Sequence, residues 1–321
     1  MSYRLIRFSG SGDAWKRQWL EYRKGGLGGS DAAAVLGMSP YATPYTVWLE
    51  KTRRIEPDDL SDNEAVYWGM VLEDTVAAEF AKRHPDMTVK RRKGVMQCKE
   101  RPWQFATVDR VTTDAHGRHG VLEIKTAGAH RGKDWENGVP DYYLPQVTHY
   151  MAVTGYDYFD VAVLIGGQRY LEFHHERDDE DVAVLNEREQ AFWEEYVMKD
   201  VPPLVTGKDA DADALMALHA TSDGEYLMML DEDVPMVAQI IAKKAMAKQL
   251  DEEVRELTNQ LRQIIGDAKG IQTPSRKVTW VRTESTSLDT KRLKSEAPEL
   301  FEQFSVTKPK DMGLRFSEQG V

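Results

Sequence analysis

Asp109 is followed fourteen positions later by Glu123-Ile124-Lys125. Two carboxylates beside an amine are the groups that hold a divalent cation against a phosphate. Residues 105–112 and 121–126 are apolar and β-branched, and they flank the polar turn Asp-Ala-His-Gly-Arg-His-Gly at 114–120. That pattern predicts a β-hairpin. Alternation along a strand sets Glu123 and Lys125 on one face and Leu122 and Ile124 in the core. Phosphodiester hydrolysis needs charge neutralised on an anionic transition state and a hydroxide supplied at neutral pH. Asp109 and Glu123 offer two oxygens to such a cation, and the Ile124 backbone carbonyl offers a third. Lys125 then positions or deprotonates water and offsets phosphate charge. A fourth group is expected from Glu73 in Trp-Gly-Met-Val-Leu-Glu-Asp (68–74), with Asp74 as the competing choice.

Several elements must bring these residues together. Up to residue 55 the spacing of Trp15, Trp19 and Tyr22 predicts helix, interrupted by the glycine-rich stretch 24–31. Ser30 is expected to cap a helix that runs to Leu36 and stops at Gly37, and Pro44 opens another. Helices are predicted over 63–83, 142–154, 178–197 and 232–268, the last long, charged and amphipathic. Strands are predicted at 88–91, 95–98, 105–112, 121–126, 159–165, 169–173 and 276–283, with a short helix over 295–304. The whole reads as α/β with one central, partly antiparallel sheet.

Composition narrows the function. A single cysteine, Cys98, excludes a disulfide framework or a cysteine-held cluster within one chain. No stretch approaches the length of a membrane span, and the first residues lack a signal-peptide core, so a cytoplasmic protein is expected. The net charge of −11 argues against nucleic acid until it is divided: residues 176–233 carry 18 Asp/Glu and 4 Lys/Arg. The remainder is therefore net +3, and a locally positive channel is compatible with it.

Asp…Glu-x-Lys on a hairpin after a helical Glu resembles the PD-(D/E)xK nuclease superfamily. Further segments resemble one branch, the YqaJ-type viral recombinases that include phage lambda exonuclease: Gly28-Gly-Ser-Asp-Ala-Ala-Ala-Val-Leu-Gly37, Ser39-Pro-Tyr41, Pro44-Tyr-Thr-Val-Trp-Leu-Glu50, Trp68-Gly69 with Leu72-Glu73, residues 121–126, and Tyr143-Leu-Pro-Gln-Val-Thr-His-Tyr150. The resemblance runs from about Arg23 to Pro203 and implies a restriction-endonuclease-like core, a mixed sheet flanked by helices, over 1–205. A C-terminal extension, 206–321, would carry the long helical arm.

The resemblance implies metal ligands Glu73, Asp109, Glu123 and the Ile124 carbonyl, with Lys125 catalytic and Gln146 orienting water or phosphate. It assigns Arg23 and Ser30 to a terminal 5′-phosphate, a role that fits Ser30 at a helix start. The cofactor implied is Mg2+, with Mn2+ as a substitute. The activity implied is 5′ to 3′ resection of linear duplex DNA, leaving 3′ single strands for recombination in a phage- or prophage-bearing bacterial cell. The partners implied are duplex ends, a homotrimer and a single-strand annealing protein, with no membrane. A structure-specific or endonucleolytic enzyme and a non-catalytic end-binding module are the competing readings. His149, Trp15, Trp48, Trp68 and Cys98 are expected in the core, and Lys90–Lys93 on a solvated edge.

Overall fold

The computed structural model describes residues 2–10, 12–57, 60, 62–306 and 313–317. Two compact units divide the chain, residues 1–219 and 220–321.

The first unit is built on a five-stranded sheet of order β2 (Thr88–Lys90), β5 (Arg110–Thr113), β6 (His119–Ala127), β7 (Tyr158–Ile165) and β8 (Arg169–Glu176). Only β6 and β7 run parallel. The other neighbours are antiparallel, so the sheet is mixed. Gly166 and Gly167, both at positive φ, make the tight β7–β8 turn. Helix α4 (Glu64–Arg83), capped by Asn63, packs Val76, Ala77 and Phe80 on Leu122 and Ile124. On the opposite face Val147, Tyr150 and Met151 of α5 (Leu144–Thr154) pack against Val121 and Val161. The expected α/β core with helices on both faces is therefore present.

A smaller sheet of β1 (Tyr3–Ile6), β3 (Val95–Cys98) and β4 (Phe105–Ala106) completes this side. Two expectations are corrected here. The start of the chain is a strand, not helix, because alternating Tyr3 and Leu5 pair with β3. The predicted strand 105–112 is two strands in different sheets, with Asp109 at the crossing.

Helices α1 (Asp13–Arg23), α2 (Gly29–Val35) and α3 (Pro44–Lys51) precede the sheet, and α6 (Asp179–Phe192) follows it. Helix α6 ends in a wider turn, Trp193–Val197, inside the range expected as one helix. Helix α7 (Asp209–Leu218) lies beyond the boundary drawn at 205, yet it belongs to the first unit. Its buried Asp211 accepts from Thr43 Oγ1 at the start of α3.

The second unit carries α8 (Met236–Ile265), 30 residues and about 45 Å long, ended by Gly266 at positive φ. A small hairpin follows, β9 (Gly270–Gln272) and β10 (Lys277–Thr279). The single tail helix expected over 295–304 is two, α9 (Thr290–Glu296) and α10 (Pro298–Phe304), because Pro298 cannot continue the first.

Candidate active site

The site starts from a gap in the sheet. Pairing of β5 with β6 ends at Arg110 opposite Leu122, whereas β6 stays paired with β7 through Ala127. From Glu123 onward, one edge of β6 therefore has no neighbouring strand among the described residues. Asp109, one residue before β5, fills that edge: its Oδ2 accepts the Ile124 N–H at 2.8 Å. A strand residue turns its N–H and C=O toward the same neighbour, so the Ile124 carbonyl lies on the Asp109 side. Burial and the adjacent Glu123 charge push the Asp109 carboxyl well above its ordinary range, against the Ile124 hydrogen bond.

Glu123 and Lys125 share the α5 face, as alternation predicts. Glu123 is nevertheless buried, at 4% exposure, because α5 lies across it. Lys125 Nζ donates to Glu123 Oε1 at 2.6 Å and to Gln146 Oε1 at 3.0 Å. Gln146 Nε2 donates to the same Glu123 oxygen at 2.8 Å and to the Tyr150 hydroxyl at 2.7 Å. The Lys125 ammonium also lies over the Tyr143 ring, 4.7 Å from its centre. Burial, with the Glu123 and Asp109 charges, raises Tyr150 far above its ordinary value, so its hydroxyl stays neutral. Glu123 Oε2 is buried and, among the described residues, has no hydrogen-bond partner. An orphan carboxylate oxygen is costly in a folded interior unless a cation meets it.

Glu73 lies on α4, which covers the opposite face of β6. Its Oε1 accepts from Arg110 Nη1, and from Arg91 Nη2 at 2.7 Å. The same Arg110 guanidinium donates to Asp74. The structure thus brings Asp109, Glu123, the Ile124 backbone, Lys125 and Gln146 together, and turns Glu73 toward two arginines. Among the described residues no three His, Cys, Asp or Glu side chains converge closely enough to hold a metal ion.

Arg23 and Ser30 also meet, Nη2 to Oγ, at 2.9 Å. The expectation that Ser30 caps α2 is corrected: the helix begins at Gly29, and the Asp31 carboxylate takes the Gly28 N–H at 2.9 Å. With seven residues and its end already capped, α2 gives an anion little on its own. Charge at this pocket comes from Arg23. The glycine-rich run between Arg23 and Ser30 is clamped, since Leu27 donates to the Trp103 carbonyl at 2.6 Å and accepts the Phe105 N–H at 2.9 Å. Gly29 packs so closely on α5 that an added Cβ would lie 2.4 Å from Tyr150 Cε1 and 3.1 Å from the Gln146 carbonyl. One glycine thus separates the Arg23 pocket from the residues around Lys125.

Other expectations divide. His149 is fully buried, bonded through Nδ1 to Glu189 and through Nε2 to the Phe105 carbonyl, which makes it a packed histidine. Cys98 and Trp48 are core residues. Trp68 is corrected: it is half exposed on the outer side of α4 and donates to Glu64. Lys90–Lys93 are exposed, as expected, and Arg91 also reaches back to pair with Glu73 at 2.7 Å. Sequence reasoning missed Tyr143 and Tyr150, although they stand three before and four after Gln146 on one helical face. It also missed Arg110, Asp31 and Lys51, whose partners are distant in sequence.

Residues 18–157 match the model of the YqaJ-like viral recombinase domain. An uncharacterized protein, YqaJ, of Bacillus subtilis strain 168 is 33% identical over 290 residues, covering 89% of each chain. Among solved structures, an alkaline exonuclease of Laribacter hongkongensis aligns with TM-score 0.47 and 20% identity over 58% of this chain and 94% of its own. A phage-related exonuclease of Haemophilus somnus 129PT aligns with TM-score 0.41 and 13% identity, over 55% of this chain and 95% of its own. At these scores the structural likeness is coarse.

Proposed function

Because the chain belongs to the YqaJ-like viral recombinase family, we propose that it is a divalent-metal-dependent DNA exonuclease that resects linear duplex from 5′-phosphorylated ends. The observation that carries this reading is the unpartnered, buried Glu123 Oε2 beside Asp109, with an ammonium on the other Glu123 oxygen.

The donor set fits a hard cation. Asp109, Glu123 and the Ile124 carbonyl would hold it, and Glu73 would join by giving up an arginine partner. Bound there, Mg2+, or Mn2+ in its place, supplies a hydroxide at neutral pH and offsets charge on the transferring phosphoryl group.

The chain's own residues do the positioning. Lys125 has three ammonium hydrogens; two serve Glu123 and Gln146, and the third is left for the scissile phosphate. Gln146 fixes Lys125 through its carbonyl and Glu123 Oε1 through its amide, which keeps Glu123 Oε2 turned to the cation. Tyr150 locks Gln146 from behind. Arg23 and Ser30 would hold the terminal phosphate and set the first scissile bond. Resection in the 5′ to 3′ direction then leaves a 3′ single strand for an annealing partner. A trimeric ring around the duplex is the assembly proposed with it.

Digestion of 3′-labelled linear duplex and closed circular DNA, in Mg2+ and in chelator, tests the reading. The expected result is Mg2+-dependent loss of the linear duplex, a surviving labelled single strand and an intact circle. A nicked circle would make the enzyme an endonuclease. No DNA loss in Mg2+ would make it an end-binding module.

A further inference from the structure

Beneath Arg23 lies a buried ion pair that the proposed chemistry does not use. Asp31 is 5% exposed and Lys51 7%. Lys51 Nζ donates to Asp31 Oδ2 at 2.7 Å and to the Arg23 carbonyl at 3.1 Å. Asp31 Oδ1 in turn accepts from Arg23 Nη2 at 3.2 Å. The Arg23 guanidinium is also stacked on Trp19, 5.1 Å from the ring centre. The side chain and the backbone of Arg23 are thus held by the same two residues.

We infer that Asp31 and Lys51 are positioning residues for recognition of a DNA 5′-terminal phosphate: Asp31 fixes the Arg23 guanidinium, and Lys51 cancels the Asp31 charge so that Arg23 keeps its own. This rests on the 5′-phosphate reading of Arg23 and Ser30. The charge count carries it. Arg23 with Asp31 alone would be neutral and would offer a phosphate nothing beyond geometry. Adding the buried Lys51 ammonium leaves one net positive charge, and Arg23 is the member with solvent access, its side chain 27% exposed against 2% for Lys51. Only Nη2 is engaged by Ser30 and Asp31; among the described residues neither Nε nor Nη1 makes a hydrogen bond. Those donors present an edge suited to a phosphate.

The test is the ratio of kcat/KM on 5′-phosphoryl and 5′-hydroxyl duplex ends, a ratio that general loss of fold does not move. Lys51→Met should lower it about tenfold, because Asp31 then competes for Arg23. Either single change strands a buried charge, so the double variant Asp31→Asn/Lys51→Met, which removes both charges and keeps the net one, protects the test from misfolding. It should also lower the ratio, since the carboxylate anchor is gone, whereas Lys51→Arg should restore much of it. Variants that fold and discriminate as well as wild type would overturn the inference while leaving the 5′-phosphate pocket intact. A wild-type chain that treats both ends alike would remove the pocket and the inference together.

Discussion

Two lysine–carboxylate pairs sit a few residues of packing apart, and they end differently. Lys51 and Asp31 form a saturated pair: one Asp31 oxygen takes Arg23, the other takes Lys51 and the Gly28 N–H. Lys125 and Glu123 are as close, yet among the described residues one Glu123 oxygen is used and the other is buried without a partner. Burial of charge is costly in both. Both Asp31 oxygens are met, and that pair holds up structure; the spare Glu123 oxygen is the one offered to the proposed cation. Tyr150 joins the two regions, touching Gly29 on one side and accepting at its hydroxyl the Gln146 Nε2–H on the other.

The largest way to break this contrast is Lys125→Ala. The open pair should lose about a thousandfold in cleavage rate, roughly 4 kcal/mol of transition-state stabilisation, while DNA binding measured in Ca2+ persists. Normal cleavage by that variant would move the chemistry elsewhere.

A second comparison uses the cation itself. Mg2+ or Mn2+ at a hundred times its dissociation constant should stabilise the wild-type fold by about 2.7 kcal/mol. Glu123→Gln, which converts the orphan carboxylate to an amide, should abolish that gain in thermal melts. The double variant at Asp31 and Lys51 should keep it, because the saturated pair holds no cation. Equal stabilisation of all three would dissolve the distinction.

The smallest effect is in acid. Asp31 is pulled down to about 2 from an ordinary 3.8, burial being outweighed by the Lys51 and Arg23 charges and the Gly28 N–H. A carboxyl whose folded value is depressed contributes stability that is whole above its unfolded value and is lost as pH falls through the folded one. Roughly 2 kcal/mol should therefore disappear between about pH 4 and pH 2. Denaturant titrations across that window should show a flatter acid limb in Asp31→Asn/Lys51→Met. An identical limb would mean that the pair is not the stabilising element taken here.

The legible part of the site was the part written by local periodicity. Glu123 and Lys125 on one strand face and a helix over 142–154 follow from spacings of two or about four residues, and the turns at 114–120 and 166–167 from their glycines, whereas the site role of Gln146 came only from the family resemblance. The split of 105–112 was not legible, because a continuous apolar run does not say which sheet each half joins. Nor was the partner of Glu73. Arg110 is thirty-seven positions away and lies next to Asp109, so nothing local links it to α4.

Sequence alone determined which side chains can do chemistry here, since residue type and strand or helix period set what a group can donate and which face it takes. Tertiary structure decided which of those groups are satisfied. That depends on where β5 stops pairing, on α5 crossing Glu123, and on Lys51 reaching back beneath Arg23. Long-range packing alone fixes such contacts, because burial is a property of what the rest of the chain places on top.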